Sequence, residues 1–130
     1  MNKVYKVSPE YIRLFLGLLH EGVDSKLEDL SGLNLVNRDS VKRLVKEYLY
    51  PEYQNFTIST QFRIKESLRF GLNFWTEEGL RDQFPSTDAA FEIPQQMTAK
   101  ELYKQIWEDM FNNEDITISD ITKYQESNQN

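Results

Sequence analysis

Between Pro9 and Leu19 the chain carries Tyr11, Ile12, Leu14, Phe15, Leu16, Leu18 and Leu19, so a helix here is apolar on nearly every side, with only Arg13 and the ends polar. Such a helix is stable only where other elements cover it, and the rest of the chain has to be arranged as that cover. Ser8 is a favoured N-cap, and Pro9 suits the first helical position, where its missing N–H has no intrahelical partner. Gly22 suits the left-handed residue that ends a helix.

The cover must come from a short chain. At 130 residues it is expected to be one domain. Apolar residues make up 39% of it and aromatics 13%, and a chain of this mass buries about two-thirds of its surface on folding, enough for a core without staples. The domain is expected to span 1–124, with 125–130 a polar tail that frays. Cysteine is absent, which removes disulfides, thiolate metal sites and cysteine nucleophiles. The single histidine, His20, removes any site that needs two imidazoles. The start, Met1 to Lys6, lacks the apolar run of a secretory signal, and the longest apolar-plus-glycine run, Leu14 to Leu19, is far short of the ~20 residues that span a bilayer. A soluble cytoplasmic protein with no membrane contact is the expectation.

Further helices are legible along the chain. Lys26 to Leu30 reads as a short one, with Ser25 as cap and Gly32 as breaker. Asn37-Arg38-Asp39-Ser40 opens another that carries Val41, Leu44, Val45, Tyr48 and Leu49 at helical spacing, and Pro51 is expected to stop it near Leu49 or Tyr50. The stretch from Asn55 to Trp75 supports two periods. Phe56, Ile58, Phe62, Ile64, Leu68, Phe70, Leu72 and Phe74 share parity, as in a hairpin, while Ile64, Leu68, Gly71, Leu72 and Trp75 share a helical face. The helix formers of Arg63 to Ser67 and the lack of an Asn-Gly or Asp-Gly turn favour a helix over Thr60 to Phe74.

Thr76 to Gln83 reads as a short helix, followed by loops. Thr98 and Glu101 form a capping box, with Met97 and Leu102 placed for a hydrophobic staple. Leu102, Tyr103, Ile106, Trp107, Met110 and Phe111 turn inward on the helix that follows, and Glu101, Gln105 and Glu108 outward. Ile116 and Ile118 alternate as in a small edge strand. The sum is a mainly α, single-domain bundle of about five helices with a short β element; a hairpin over 56–74 would make it an α+β winged helix instead.

Catalysis finds little support in these residues. His20 falls in the last turn of the first helix, with no nucleophile or Gly-x-Ser-x-Gly elbow to serve. The carboxylate pairs Glu28-Asp29, Glu77-Glu78, Glu108-Asp109 and Glu114-Asp115 are adjacent in sequence, so on a helix their side chains diverge by about 100°. Asn113-Glu114-Asp115 with Asp120 offers oxygens to a hard cation but lacks the glycine and alternate spacing of a calcium loop. The reading is a non-enzymatic protein with no cofactor and no metal.

Two binding readings remain. Leu30, Ser31, Val36, Val41 and Leu44 fit a helix-turn-helix, with Arg38, Lys42, Arg43 and Lys46 for DNA contacts and Arg63, Lys65 and Arg69 on a wing. Leu35 departs from the template at the turn position where glycine is usual, and Asn34 where an apolar residue is. The other reading starts from charge. Residues 1–75 carry a net +2 and residues 76–130 a net −8, which together give the −6 of the whole. Acids in that second part are interleaved with Trp75, Phe84, Phe91, Tyr103, Trp107 and Phe111, a pattern suited to a basic protein partner. The leading expectation is therefore an acidic inhibitor of a basic, nuclease-like toxin or effector, in the manner of an immunity protein or antitoxin, without nucleic-acid binding. Its contact set is Glu101, Gln105, Glu108, Asp109, Glu114, Asp115 and Asp120, with Glu108 and Asp109 taken as exposed.

Overall fold

A computed structural model describes residues 4–20 and 25–127 of the chain. Ser8 caps the first helix as its sequence implies, its hydroxyl accepting the Glu10 N–H at 3.2 Å. The helix α1 spans Pro9–Leu16 and tightens into a 3-10 turn over Gly17–Leu19. Ile12, Phe15, Leu16 and Leu19 are buried, but Leu14 is 46% exposed. The cover over this helix is therefore incomplete, and Arg13 and Leu14 look outward. The turn ends at His20; Gly22, the expected stop, lies outside the described residues. A second helix, α2, covers Ser25–Leu30.

The main cover is the long helix α5 (Ile58–Phe74), started by the Thr57 hydroxyl accepting the Thr60 N–H at 3.1 Å. It packs against α1 and also against a strand, β1 (Tyr5–Val7). Two apolar stripes explain its ambiguous sequence. Ile64, Leu68 and Leu72 recur every fourth residue and are buried in the helical core. Phe62, Glu66, Phe70 and Phe74 recur likewise, two residues out of step, which on a helix is nearly the opposite side. A helix covered on two sides thus mimics the alternation of a strand. The expected helix over 60–74 is present, extended to Ile58.

Phe62 and Phe70 of the second stripe are covered by strands from residues 5–7 and 124–126, while Phe74 stays 47% exposed. β1 pairs in parallel with β2 (Tyr124–Glu126), in the register Tyr5↔Tyr124, Lys6↔Gln125 and Val7↔Glu126. Tyr5 stands edge-on to Phe62 at 5.1 Å and to Tyr124 at 5.2 Å, and Tyr124 reaches Phe70 at 5.5 Å. Ser127 extends the pairing by donating its N–H to the Val7 carbonyl at 2.8 Å. Gln125 and Glu126, expected in a frayed tail, lie in this strand. The edge strand expected at Ile116 and Ile118 is absent; the Ile116 carbonyl accepts from the Asn73 side chain at 2.7 Å instead.

Asn37 caps α3 (Arg38–Leu44), accepting the Asp39 N–H at 2.9 Å. Contrary to expectation, Pro51 does not stop this helix. The chain widens into a π turn over Val45–Leu49 and continues as α4 (Tyr50–Tyr53). In a regular helix the proline ring would meet the carbonyl of Glu47. In the π turn the Tyr50 N–H bonds to Val45, five residues back, so the regular ladder in which that clash arises is absent here. Thr76 caps the short α6 (Glu77–Arg81), and buried Phe84, Phe91 and Met97 anchor the loop that follows. The mainly α fold is as expected, with α2, α3–α4, α5, α6 and α7 (Ala99–Met110) joining α1. No helix among the described residues is long and apolar enough to cross a membrane.

Gly71 is closely packed in α5. A Cβ there would sit 2.5 and 2.9 Å from two atoms of the Trp75 ring and 3.2 Å from Leu80 Cδ2. Alanine normally improves a helix by about 1 kcal/mol over glycine, but overpacking costs typically ~1–3 kcal/mol. Gly71→Ala is therefore expected to lower stability in urea unfolding. A more stable variant would show that Trp75 swings aside freely.

Candidate functional site

The acidic contact set belongs to α7 and the segment after it. Thr98 and Glu101 form the expected capping box, with the Thr98 hydroxyl accepting the Glu101 N–H at 3.0 Å and Glu101 accepting the Thr98 N–H at 3.2 Å. A second carboxylate joins them. Glu77 of α6 accepts the N–H groups of Ala99 at 2.8 Å and Lys100 at 3.0 Å. Burial raises the pKa of Glu77, but those two N–H bonds together with the nearby Arg81 outweigh it and hold the carboxyl below its ordinary value. Ala99, Leu102, Tyr103, Ile106, Trp107 and Met110 turn into the core, as the spacing implies.

The outward side is less open than expected. Asp109, taken as exposed, has a side chain only 9% exposed and makes a bidentate pair with Arg38 of α3, at 2.5 and 2.8 Å. Glu108 flanks the same guanidinium at 3.6 Å and is half-buried. The Asp109 carboxylate raises the Arg38 pKa further. Gln105 is half-buried, and its buried carbonyl oxygen has no hydrogen-bond partner among the described residues.

Beyond Phe111, Asn112 and Asn113 take positive φ values of 53° and 60°, a left-handed pair that asparagine tolerates better than most residues. The reversal returns Glu114 over α5. There Trp107 donates to the Glu114 carbonyl at 2.6 Å, Lys65 reaches one carboxylate oxygen at 2.8 Å, and Arg69 reaches the other. Arg69 also donates to Glu66 at 3.0 Å and to the Asp115 carbonyl at 2.5 Å, with its guanidinium 4.9 Å from the Trp107 ring centre. Hydrogen bonding from Lys65, and then from Arg69, lowers the Glu114 carboxyl below its ordinary pKa. Glu66 is itself only 5% exposed and accepts the Tyr124 hydroxyl at 2.6 Å. Burial, then that bond, pushes the Tyr124 pKa up. Asp115 and Asp120 sit in short turns, accepting the N–H groups of Thr117 at 2.9 Å and Thr122 at 3.0 Å.

The seven residues therefore do not form one free face. Glu108 and Asp109 meet at Arg38, Glu114 and Asp115 meet at Arg69, and Glu101 stays at the far end of a helix about 18 Å long. The oxygens weighed and set aside as a hard-cation site, those of Glu114, Asp115 and Asp120, are divided among ion pairs and turns. Among the described residues no three His, Cys, Asp or Glu converge as a metal site.

The DNA-binding reading loses its geometry. Leu30, Val41 and Leu44 are buried as helix-turn-helix anchors should be, but Val36 is 43% exposed and Leu35 takes its place in the core. The wing is helical, and its cations have partners: Arg63 donates to the Tyr11 hydroxyl at 2.9 Å, and Lys65 and Arg69 hold Glu114. Of the second helix's bases, Arg38 is held by Asp109 and Arg43 by Glu47. A groove of about 450 Å³ runs between α3–α4 and the end of α7, with Lys42, Lys46 and Tyr50 on one wall and Glu108, Asp109 and Asn113 on the other. Bases from one binding reading and acids from the other thus face each other. His20 is exposed, and its ring nitrogen meets the Gly17 carbonyl at 2.9 Å.

Sequence reasoning missed the Arg38–Asp109 pair and the Glu66–Arg69–Glu114 cluster. Arg38–Asp109 and Arg69–Glu114 join residues far apart in the chain, and only Glu66–Arg69 is local. The one available signal was Glu66, a charge set between Phe62 and Phe70 at four-residue spacing. The chain matches no protein-family model, no curated protein and no solved structure.

These pairs give stability a sign against pH. The depressed carboxyls of Glu77 and Glu114 contribute above the unfolded glutamate pKa of ~4.3 and lose that contribution as pH falls through their lower folded values. The melting temperature is expected to fall on acidification below pH 5, less steeply in Glu77→Gln and Glu114→Gln; an identical slope would show that the pairs contribute nothing. Asp109→Asn, which leaves Arg38 without its charged partner, is expected to cost about 1–3 kcal/mol in urea unfolding, and an unchanged midpoint would contradict it.

Proposed function

We propose that the protein works by binding a basic surface of another protein without catalysis of its own, as an immunity protein or antitoxin blocking a nuclease-like toxin or effector would. The supporting observation is the acidity left outside after the internal pairs are drawn. In 76–130, Glu78, Asp82, Asp88, Glu92, Glu101, Asp115 and Asp120 are exposed and form no ion pair among the described residues. Such a surface speeds encounter with a basic partner and makes the rate fall with salt. Within the contact set, Glu101, Asp115 and Asp120 keep their charge outward, whereas Asp109 and Glu114 spend theirs on Arg38, Lys65 and Arg69. The reading needs no cofactor and takes the protein to be soluble and cytoplasmic.

The test uses substitutions that remove charge but keep the local hydrogen bonds. Glu101→Gln retains a capping-box acceptor, and Asp115→Asn and Asp120→Asn retain the turn acceptors. A partner captured on the tagged chain from its native host at low salt is identified by mass spectrometry and then titrated at two salt concentrations. The triple variant, with an unchanged thermal melt, is expected to bind about tenfold or more weakly and with a flatter salt dependence. Unchanged affinity would place the contact elsewhere. Capture of nucleic acid or of acidic proteins alone would contradict the reading.

A further inference from the structure

The chain has six arginines, and four of them, Arg38, Arg43, Arg69 and Arg81, are paired with carboxylates. The other two, Arg13 and Arg63, have no carboxylate partner among the described residues, although acids outnumber bases by 21 to 15. Both line one groove of about 660 Å³, together with Lys6, another cation without a carboxylate partner among the described residues. The three come from separate elements, α1, α5 and β1. Arg63 is half-buried, a setting in which a guanidinium usually has an anion. Its contact here is neutral: it donates to the Tyr11 hydroxyl at 2.9 Å and stands 5.9 Å from that ring's centre.

We infer that this groove is a binding site for an acidic, partly apolar peptide segment of a partner protein. Arg13, Arg63 and Lys6 supply charge for two or three carboxylates, as clusters of arginine do in recognising acidic motifs. The apolar component follows from Leu14, 46% exposed on the groove wall beside Tyr11. A bare phosphate would use the cations and leave that wall uncovered, whereas a leucine- or phenylalanine-bearing segment covers it. Nucleic acid fits poorly, because Glu10 shares the groove and the other half of the chain carries −8. This surface is of opposite sign to the one proposed above, and it stands or falls separately.

The full-length chain is immobilised and presented with a display library of random peptides about twelve residues long at low salt. Enriched sequences are expected to combine Asp or Glu with a large apolar residue. A synthetic copy of the best binder is expected to lose about tenfold or more in affinity for Lys6→Glu/Arg13→Glu, whose side chains are exposed and form no hydrogen bond or ion pair among the described residues. Exchanging the peptide's acids for lysine is expected to recover part of that loss. Failure of any peptide to enrich, enrichment without acidic residues, or equal binding by the double variant would overturn the inference. Displacement of the peptide by 10 mM inorganic phosphate, but not by chloride at matched ionic strength, would also overturn it, by assigning the groove to a small anion.

Discussion

A carboxylate at 5% exposure, Glu66 in the middle of α5, sets the terms for the rest of the molecule. Burying a charge is costly unless it is paired and hydrogen-bonded, and α5 supplies only Arg69, three residues on. The second partner, the Tyr124 hydroxyl, comes from the far end of the chain. Meeting that requirement lays the segment after α7 across α5, which seats Glu114 on Lys65 and Arg69 and brings β2 alongside β1. The same closure puts Tyr5 and Tyr124 over Phe62 and Phe70. Polar and aromatic contacts on this side of α5 are therefore one arrangement, opposite the aliphatic core of Ile64, Leu68 and Leu72.

What was legible in the sequence was what is encoded locally. Ser8-Pro9, Asn37 and the Thr98–Glu101 box each announce a helix start through atoms within three residues, and each helix starts where read. The failures are long-range. Pro51 reads as a stop because the π turn that accommodates it depends on packing outside the local sequence. Gln125 and Glu126 read as a tail because the strand partner lies over a hundred residues away. Glu108 and Asp109 read as an exposed pair because Arg38 can be seen beside them only once α3 and α7 are packed together.

Those pairings change what the charge asymmetry means. Part of the excess of acid in 76–130 is matched against bases in 1–75, through Arg38, Lys65 and Arg69. The asymmetry is thus partly a record of how two halves fit together. The remainder, on α6, its following loop, Glu101 at the start of α7 and the turns at Asp115 and Asp120, is exposed and outside these ion pairs. Three of the cations left without a carboxylate among the described residues, Lys6, Arg13 and Arg63, share a groove where α1, α5 and β1 meet, so the molecule presents a basic groove as well as an acidic surface.

Residue-resolved amide hydrogen exchange on Arg69→Met tests most directly whether the buried Glu66 organises this closure. Removing Arg69 leaves Glu66 with Tyr124 alone and frees Glu114 from one of its two bases. Protection is predicted to fall together at 5–7, 114–117 and 124–127, while α3 and α7 keep the wild-type pattern. Unchanged protection of β1 and β2 in that variant would contradict the account and assign their docking to the aromatic contacts alone.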